Sequence, residues 1–300
     1  IIVDPNLGPS HTQPETNLSI FEHLIANVLG RIVHHDPDRT IALSLALFAR
    51  FADDTDERQA RIRKSLAPLI SIQWVGYGRA DARHMLDAWI ADIARYEAAL
   101  SVVISTHRES FVVGLRGDME EGGTDQRQRW VALAARIVDK AAESLLPYLE
   151  EPQLTQEQAD AAKPFASLID RTCGEIYFAS GAFRDSQNLG RPKARPPIED
   201  AGLKILFEEK APMLKRIGEC GTPHTVYYLL QLLEYLLPIA PVEVFDLTAN
   251  ALKGGGRKTG YQFESMGADL FVRIVGVFLA DYKEVFEDDG RRAQLIECLE

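Results

Sequence analysis

Three hundred residues exceed what one compact core usually serves, so two packed units or one extended array are expected. With 46% hydrophobic and 26% charged residues the composition is that of an ordinary globular protein, which excludes a disordered or membrane-embedded chain. The 44 acidic against 33 basic residues leave a formal charge of -11 that repels a phosphate backbone on average, so nucleic-acid binding is disfavoured.

Three cysteines, Cys173, Cys220 and Cys298, are too far apart to form a CxxC-type ligand pair. So sparse and odd a set predicts neither a disulfide framework nor a thiolate zinc site, and a reducing, cytoplasmic setting is expected. The chain opens on Ile1 without a basic and apolar leader and closes inside helical pattern at residues 296–300, which reads as a segment of a longer protein. Its most apolar runs, 226–237 and 270–280, are too short to span a bilayer, so buried helices and no membrane partner are expected.

Pro5, Pro9 and Pro14 make residues 1–18 an extended arm or linker. Ser19 and Glu22 form a capping-box pattern. Phe21, Leu24, Ile25, Val28, Leu29 and Ile32 follow at helical spacing, predicting a first helix that stops near Asp36, ahead of Pro37. A second helix is predicted from Ile41 to Phe51, where the acidic run Asp53, Asp54, Asp56 and Glu57 marks a turn, and a third from Arg58 to Ile72. After Gly76 and Gly78 one long helix is expected from Ala80 to Ile104, because Leu86, Trp89, Ile90, Ile93, Tyr96 and Leu100 form a single stripe. Residues 126–149 carry another, of Trp130, Ala134, Ile137, Ala141 and Leu145.

The polar stretch 150–160 then divides an N-terminal helical unit, 19–150, from a C-terminal helical-repeat unit, 151–300. Thr155 with Gln158 is a second capping box, opening a helix that Pro164 is expected to bend or restart. Residues 185–200 hold Gly190, Pro192, Pro196 and Pro197 among basic residues and read as a long loop. Helices follow near 199–217 and, from Thr222 as cap and Pro223 at the first helical position, over 226–237.

A shift of 41 residues aligns Leu229, Leu230 and Leu233 with Leu270, Phe271 and Ile274, then Leu236 and Leu237 with Val277 and Phe278, then Val244 and Phe245 with Val285 and Phe286. Over residues 222–300 this spacing resembles the HEAT and armadillo α-solenoids, and the resemblance implies helical hairpins that stack because none covers its own apolar face. The expected fold is therefore all-α, built of stacked antiparallel helical hairpins, with an irregular multi-helix bundle as the alternative.

Few residues carry a chemical signature. His34, His35 and Asp36 form a His-Asp dyad that resembles the all-helical HD phosphohydrolases, a resemblance of two residues that implies a metal-dependent reaction around His35 and Asp36. The stretch Gly254–Gly260 is rich in glycine like a phosphate-binding loop, but Arg257 stands where glycine must precede Lys258, and it follows a helical pattern instead of a strand. It reads as an inter-helix connection. The acidic groups at 53–57 and 284–289 read as solvated turns.

The leading expectation for function is a non-enzymatic protein-interaction scaffold or sensor region, without cofactor or metal. The candidate partner surface joins two basic loops, with Arg191, Lys193 and Arg195 in one and Arg257 and Lys258 in the other, to the aromatic residues Tyr228, Tyr235 and Tyr261. The alternatives are the phosphohydrolase and nucleic-acid binding through those loops.

Overall fold

The computed structural model describes residues 20–51, 56–108, 121–151, 153–180, 182, 201–220, 223–256 and 268–299. Regular structure among them is entirely helical, and none of their helices is long and apolar enough to cross a membrane. The chain divides into two compact units, Ile1–Thr106 and His107–Glu300.

The first unit holds α1 (residues 20–32), α2 (Pro37–Arg50), α3 (Glu57–Val75), α4 (Ala80–Ala91) and α5 (Glu97–Thr106). Helix α3 is central: α2, α4, α5 and the π-helical middle of α1, Ile25–Leu29, all lie against it. Leu66 and Ile70 of α3, Leu86 and Trp89 of α4, and Leu100 and Ile104 of α5 make its dry interior. Pro37 begins α2 four residues before the expected start. Proline lacks the N–H that a first helical residue would leave unpaired, and the Asp36 carboxylate accepts from the Arg39 amide at 3.2 Å as N-cap. Asp56, of the acidic run, caps α3 in the same way by accepting from the Arg58 amide at 2.9 Å. Ser19 and its expected capping role lie outside the described residues, as do Asp53 and Asp54. Glu22 forms a fork with Arg61 of α3 at 2.8 and 3.2 Å.

The expected single helix from Ala80 to Ile104 is two. Residues 92–96 form a turn between α4 and α5, with the Asp92 backbone at φ −114°, ψ 60°. Seven residues of unbroken helix would separate Trp89 and Tyr96 by roughly 10 Å along the axis. The turn brings their rings to 6.0 Å, nearly parallel, while Phe48 of α2 stands 5.1 Å from Trp89. Aromatic packing thus favours the break, and no glycine or proline in the sequence announces it.

The second unit holds α6 (Glu121–Glu150), α7 (Gln156–Ser180), α8 (Ala201–Cys220), α9 (Pro223–Leu236), α10 (Pro241–Ala251), α11 (Ala268–Asp281) and α12 (Asp289–Leu299). A π-helical turn, Leu252–Gly256, extends α10, and a 3-10 turn, Lys283–Glu287, precedes α12. The capping box predicted at Thr155 forms in both directions: its hydroxyl accepts from the Gln158 amide at 3.2 Å, and its own amide donates to the Gln158 side chain at 2.9 Å. Pro164 does not restart the helix, which runs unbroken from Gln156 to Ser180.

Within this unit α6 packs on α7 and on α8, α8 on α10, α10 on α12, α7 on α9, and α9 on α10 and α11. The α8–α10 approach is unusually close. A Cβ on Gly254 would stand 2.8 Å from the Glu219 backbone, and one on Gly218 would stand 3.2 Å from Ala251. Gly254 was expected to serve a loop; here its missing side chain lets two backbones meet. The 41-residue partners are mostly core residues, from Leu229 and Leu270 to Val244 and Val285. Phe245, Phe278 and Phe286 pack edge to face. The aligned positions differ in form, since Val285 and Phe286 lie in the 3-10 turn whereas Val244 and Phe245 lie in α10.

Candidate binding groove

Of the residues proposed for a partner surface, Arg191, Lys193, Arg195, Arg257, Lys258 and Tyr261 lie outside the described residues. Tyr228 and Tyr235 are half-buried along one side of α9 with Gln231 between them. The Tyr228 ring belongs to an aromatic cluster, 5.0 Å from Tyr177 and 5.9 Å from Phe178, in which Tyr177 is buried and Phe178 exposed. The neighbouring Lys253 is described, and its ammonium pairs with Glu297 of α12.

His34 and Asp36 of the first unit are engaged in local structure, and His35 is exposed. His34 Nδ1 lies 2.7 Å from the Tyr77 hydroxyl, and Asp36 serves α2 as cap while its other oxygen stands 3.5 Å from Arg39. Among the described residues no group of three or more His, Cys, Asp and Glu side chains is placed to hold a metal ion.

Sequence reasoning did not anticipate a set of charged side chains buried in the second unit. The His107 ring lies tilted against that of Trp130 of α6 at 4.9 Å, and burial lowers its pKa to about 4. Arg127, one turn earlier on α6, donates to Glu209 of α8 at 2.9 Å. Lys210 beside it is 2% exposed, and its pKa falls to about 7, first through desolvation and further through the Arg127 charge, against the pull of Glu209. Glu175 of α7, also 2% exposed, accepts from Arg108 and lies 3.4 Å from Arg171. Glu234 of α9 takes a fork from Arg273 of α11 at 2.6 and 2.8 Å. Arg127, Glu175 and Glu234 are each met by an opposite charge from a neighbouring helix or loop, whereas the carboxylate that acts on Lys210 is that of Glu209, its neighbour on α8. Cys173 is buried against the Thr225 carbonyl, and desolvation, with Asp170 nearby, drives its thiol pKa far upward, which disfavours the thiolate.

Among the described residues of this unit, a groove of about 610 Å³ between α8 and α10 has the dimensions of a ligand site. Phe207, Ala211 and Pro212 of α8 line one side, Leu247 of α10 the other, and the turn Ile239, Ala240 and Pro241 closes one end. The rim is polar: Glu208 and Lys215 on α8, Glu243 and Asp246 on α10. Arg291 of α12 holds Asp246 in a fork at 2.9 and 3.1 Å. That hydrogen bond, with the Coulomb fields of Asp246, Asp288 and Glu243, raises the Arg291 pKa above its ordinary value. The signals in the sequence were two prolines. Pro212 interrupts the N–H ladder of α8, and Pro241 starts α10 at a sharp turn. Because Pro212 has no N–H, the Glu208 carbonyl four residues earlier lacks its ordinary helical donor.

Compared with family models, curated proteins and solved structures, the chain finds no match in any of the three.

Proposed function

We propose that the second unit is a two-layer stack of helical hairpins acting as a non-enzymatic protein-interaction scaffold, with the α8–α10 groove as its docking site. The alternation of contacts supports the stack: α6, α8, α10 and α12 follow one another in one series, and α7, α9 and α11 in another. The groove carries the reading. An apolar trough of about 610 Å³ with polar residues along its edges suits the apolar face of a short helix or an extended segment better than it suits solvent.

The test is selection of phage-displayed random peptides on the whole chain, followed by counter-screening on two groove-filling variants, Ala211→Trp and Pro212→Trp. Ala211 is half-buried and Pro212 exposed, so the second variant fills the trough without entering the core. The proposal expects enriched peptides that share apolar anchors and lose binding to both variants. Enrichment of none, or of peptides indifferent to the two substitutions, overturns it.

A further inference from the structure

We infer that the occupant of this groove is a basic segment: a peptide stretch whose apolar anchors are flanked by lysine or arginine. The inference rests on the docking reading above and adds the sign of the partner's charge. Three carboxylates, from Glu208, Glu243 and Asp246, border the trough against one ammonium, that of Lys215. Asp288 stands close enough for its field to act on Arg291, which bonds Asp246. Counting Arg291 with Lys215, the described residues around the groove keep an excess of negative charge after the internal pairing is made. Glu208 and Glu243 form no ion pair with another described residue, and both are exposed, so each is ready to meet a partner's cation.

Hydrogen-bonding capacity points the same way. The Glu208 carbonyl is left without its helical donor by Pro212, and both residues line the groove that the carboxylates border. A lysine or arginine brings several N–H donors and no acceptor, whereas an acidic partner would bring further acceptors to an acceptor-rich edge. Arg291 shows that a guanidinium is accommodated in this field: it spans both oxygens of Asp246 from the neighbouring helix. The net charge of the whole chain, -11, would steer such a segment toward it from a distance.

The experiment compares two fluorescent peptides on the intact 300-residue chain by anisotropy. Both carry the same leucine and phenylalanine anchors; one is flanked by lysines and the other by glutamates. The lysine peptide is expected to bind about tenfold tighter, as two rim ion pairs within the exposed range would give. The preference should shrink as salt rises from about 50 to about 500 mM. Glu208→Lys with Glu243→Lys, both at exposed positions, should reverse the order of the two peptides. Equal binding of the two, abolished by Pro212→Trp, overturns the charge inference and leaves the docking reading standing. Failure of both peptides to bind, or binding that survives Pro212→Trp, overturns the docking reading and the inference with it.

Discussion

The two units of this chain solve the burial of helix faces by different chemistry. The first is held by aliphatic and aromatic side chains gathered on α3, with Phe48, Trp89 and Tyr96 packed ring on ring and the buried Arg63 guanidinium over the Phe48 face. The second takes more charged groups almost wholly out of water, among them Glu175, Lys210 and Arg127. Apolar packing tolerates many partners of similar shape. A buried charge leaves its helix one acceptable neighbour, because misplacement strands it without compensation. The first unit also leaves Ile20, Leu24, Val28 and Ile32 exposed at four-residue intervals along α1, whereas the second leaves Phe178, Val272, Leu279 and Ile296 exposed on α7, α11 and α12 and adds a groove with charged edges.

The sharpest way to break this contrast is to remove an aromatic from the first unit. Trp89→Ala should destabilise that unit by about 3–5 kcal/mol, since the indole is 1% exposed and the site is fixed by three helices. Hydrogen exchange read by mass spectrometry assigns the loss to a unit, and unchanged protection in α3 and α5 would contradict the account.

Acid should act on the second unit. His107 has its pKa lowered to about 4 in the folded chain, so between the ordinary value of 6.5 and that value the unfolded chain binds more protons. Its contribution is complete above pH 6.5 and is lost as the pH falls toward 4, at a limit of roughly 3 kcal/mol. His107→Phe should flatten the acid limb of an exchange or urea profile. Lys210 adds an alkaline limb: with a folded pKa of about 7 against 10.5, the unfolded chain again holds more protons, and stability rises with pH across that window. Lys210→Met should abolish the rise.

Two smaller effects sharpen the helix-pairing argument. Gly254→Ala puts a methyl 2.8 Å from backbone atoms of α8 and should cost about 1–3 kcal/mol by urea titration, more than a surface substitution in a flexible connection would. Glu234→Gln keeps the shape and loses the charge facing Arg273. Because that arginine is half-exposed and can return to water, a loss of only about 1 kcal/mol is expected in the same titration.

Local chemistry was legible in the sequence wherever it acted over a few residues. The Thr155–Gln158 box, the proline at the head of α9 and the apolar stripe of Trp130, Ala134 and Ile137 needed no tertiary information. Pro37 was legible as a boundary, though its larger role is to start α2, with Asp36 as its cap. The turn at 92–96 was hidden because packing around Trp89 causes it, and a continuous stripe disguises it. The groove was hidden for a related reason: Phe207 and Leu247 become neighbours only when α8 and α10 close on Gly218 and Gly254. Buried ion pairs such as Arg127–Glu209, 82 residues apart, leave no local pattern at all.

Hydrogen exchange on the whole chain with and without the lysine-flanked peptide tests the central claim most directly. The account predicts slowed exchange confined to the groove walls, residues 207–215 and 239–247, that disappears in Pro212→Trp. Protection that falls elsewhere, or persists in that variant, would contradict it.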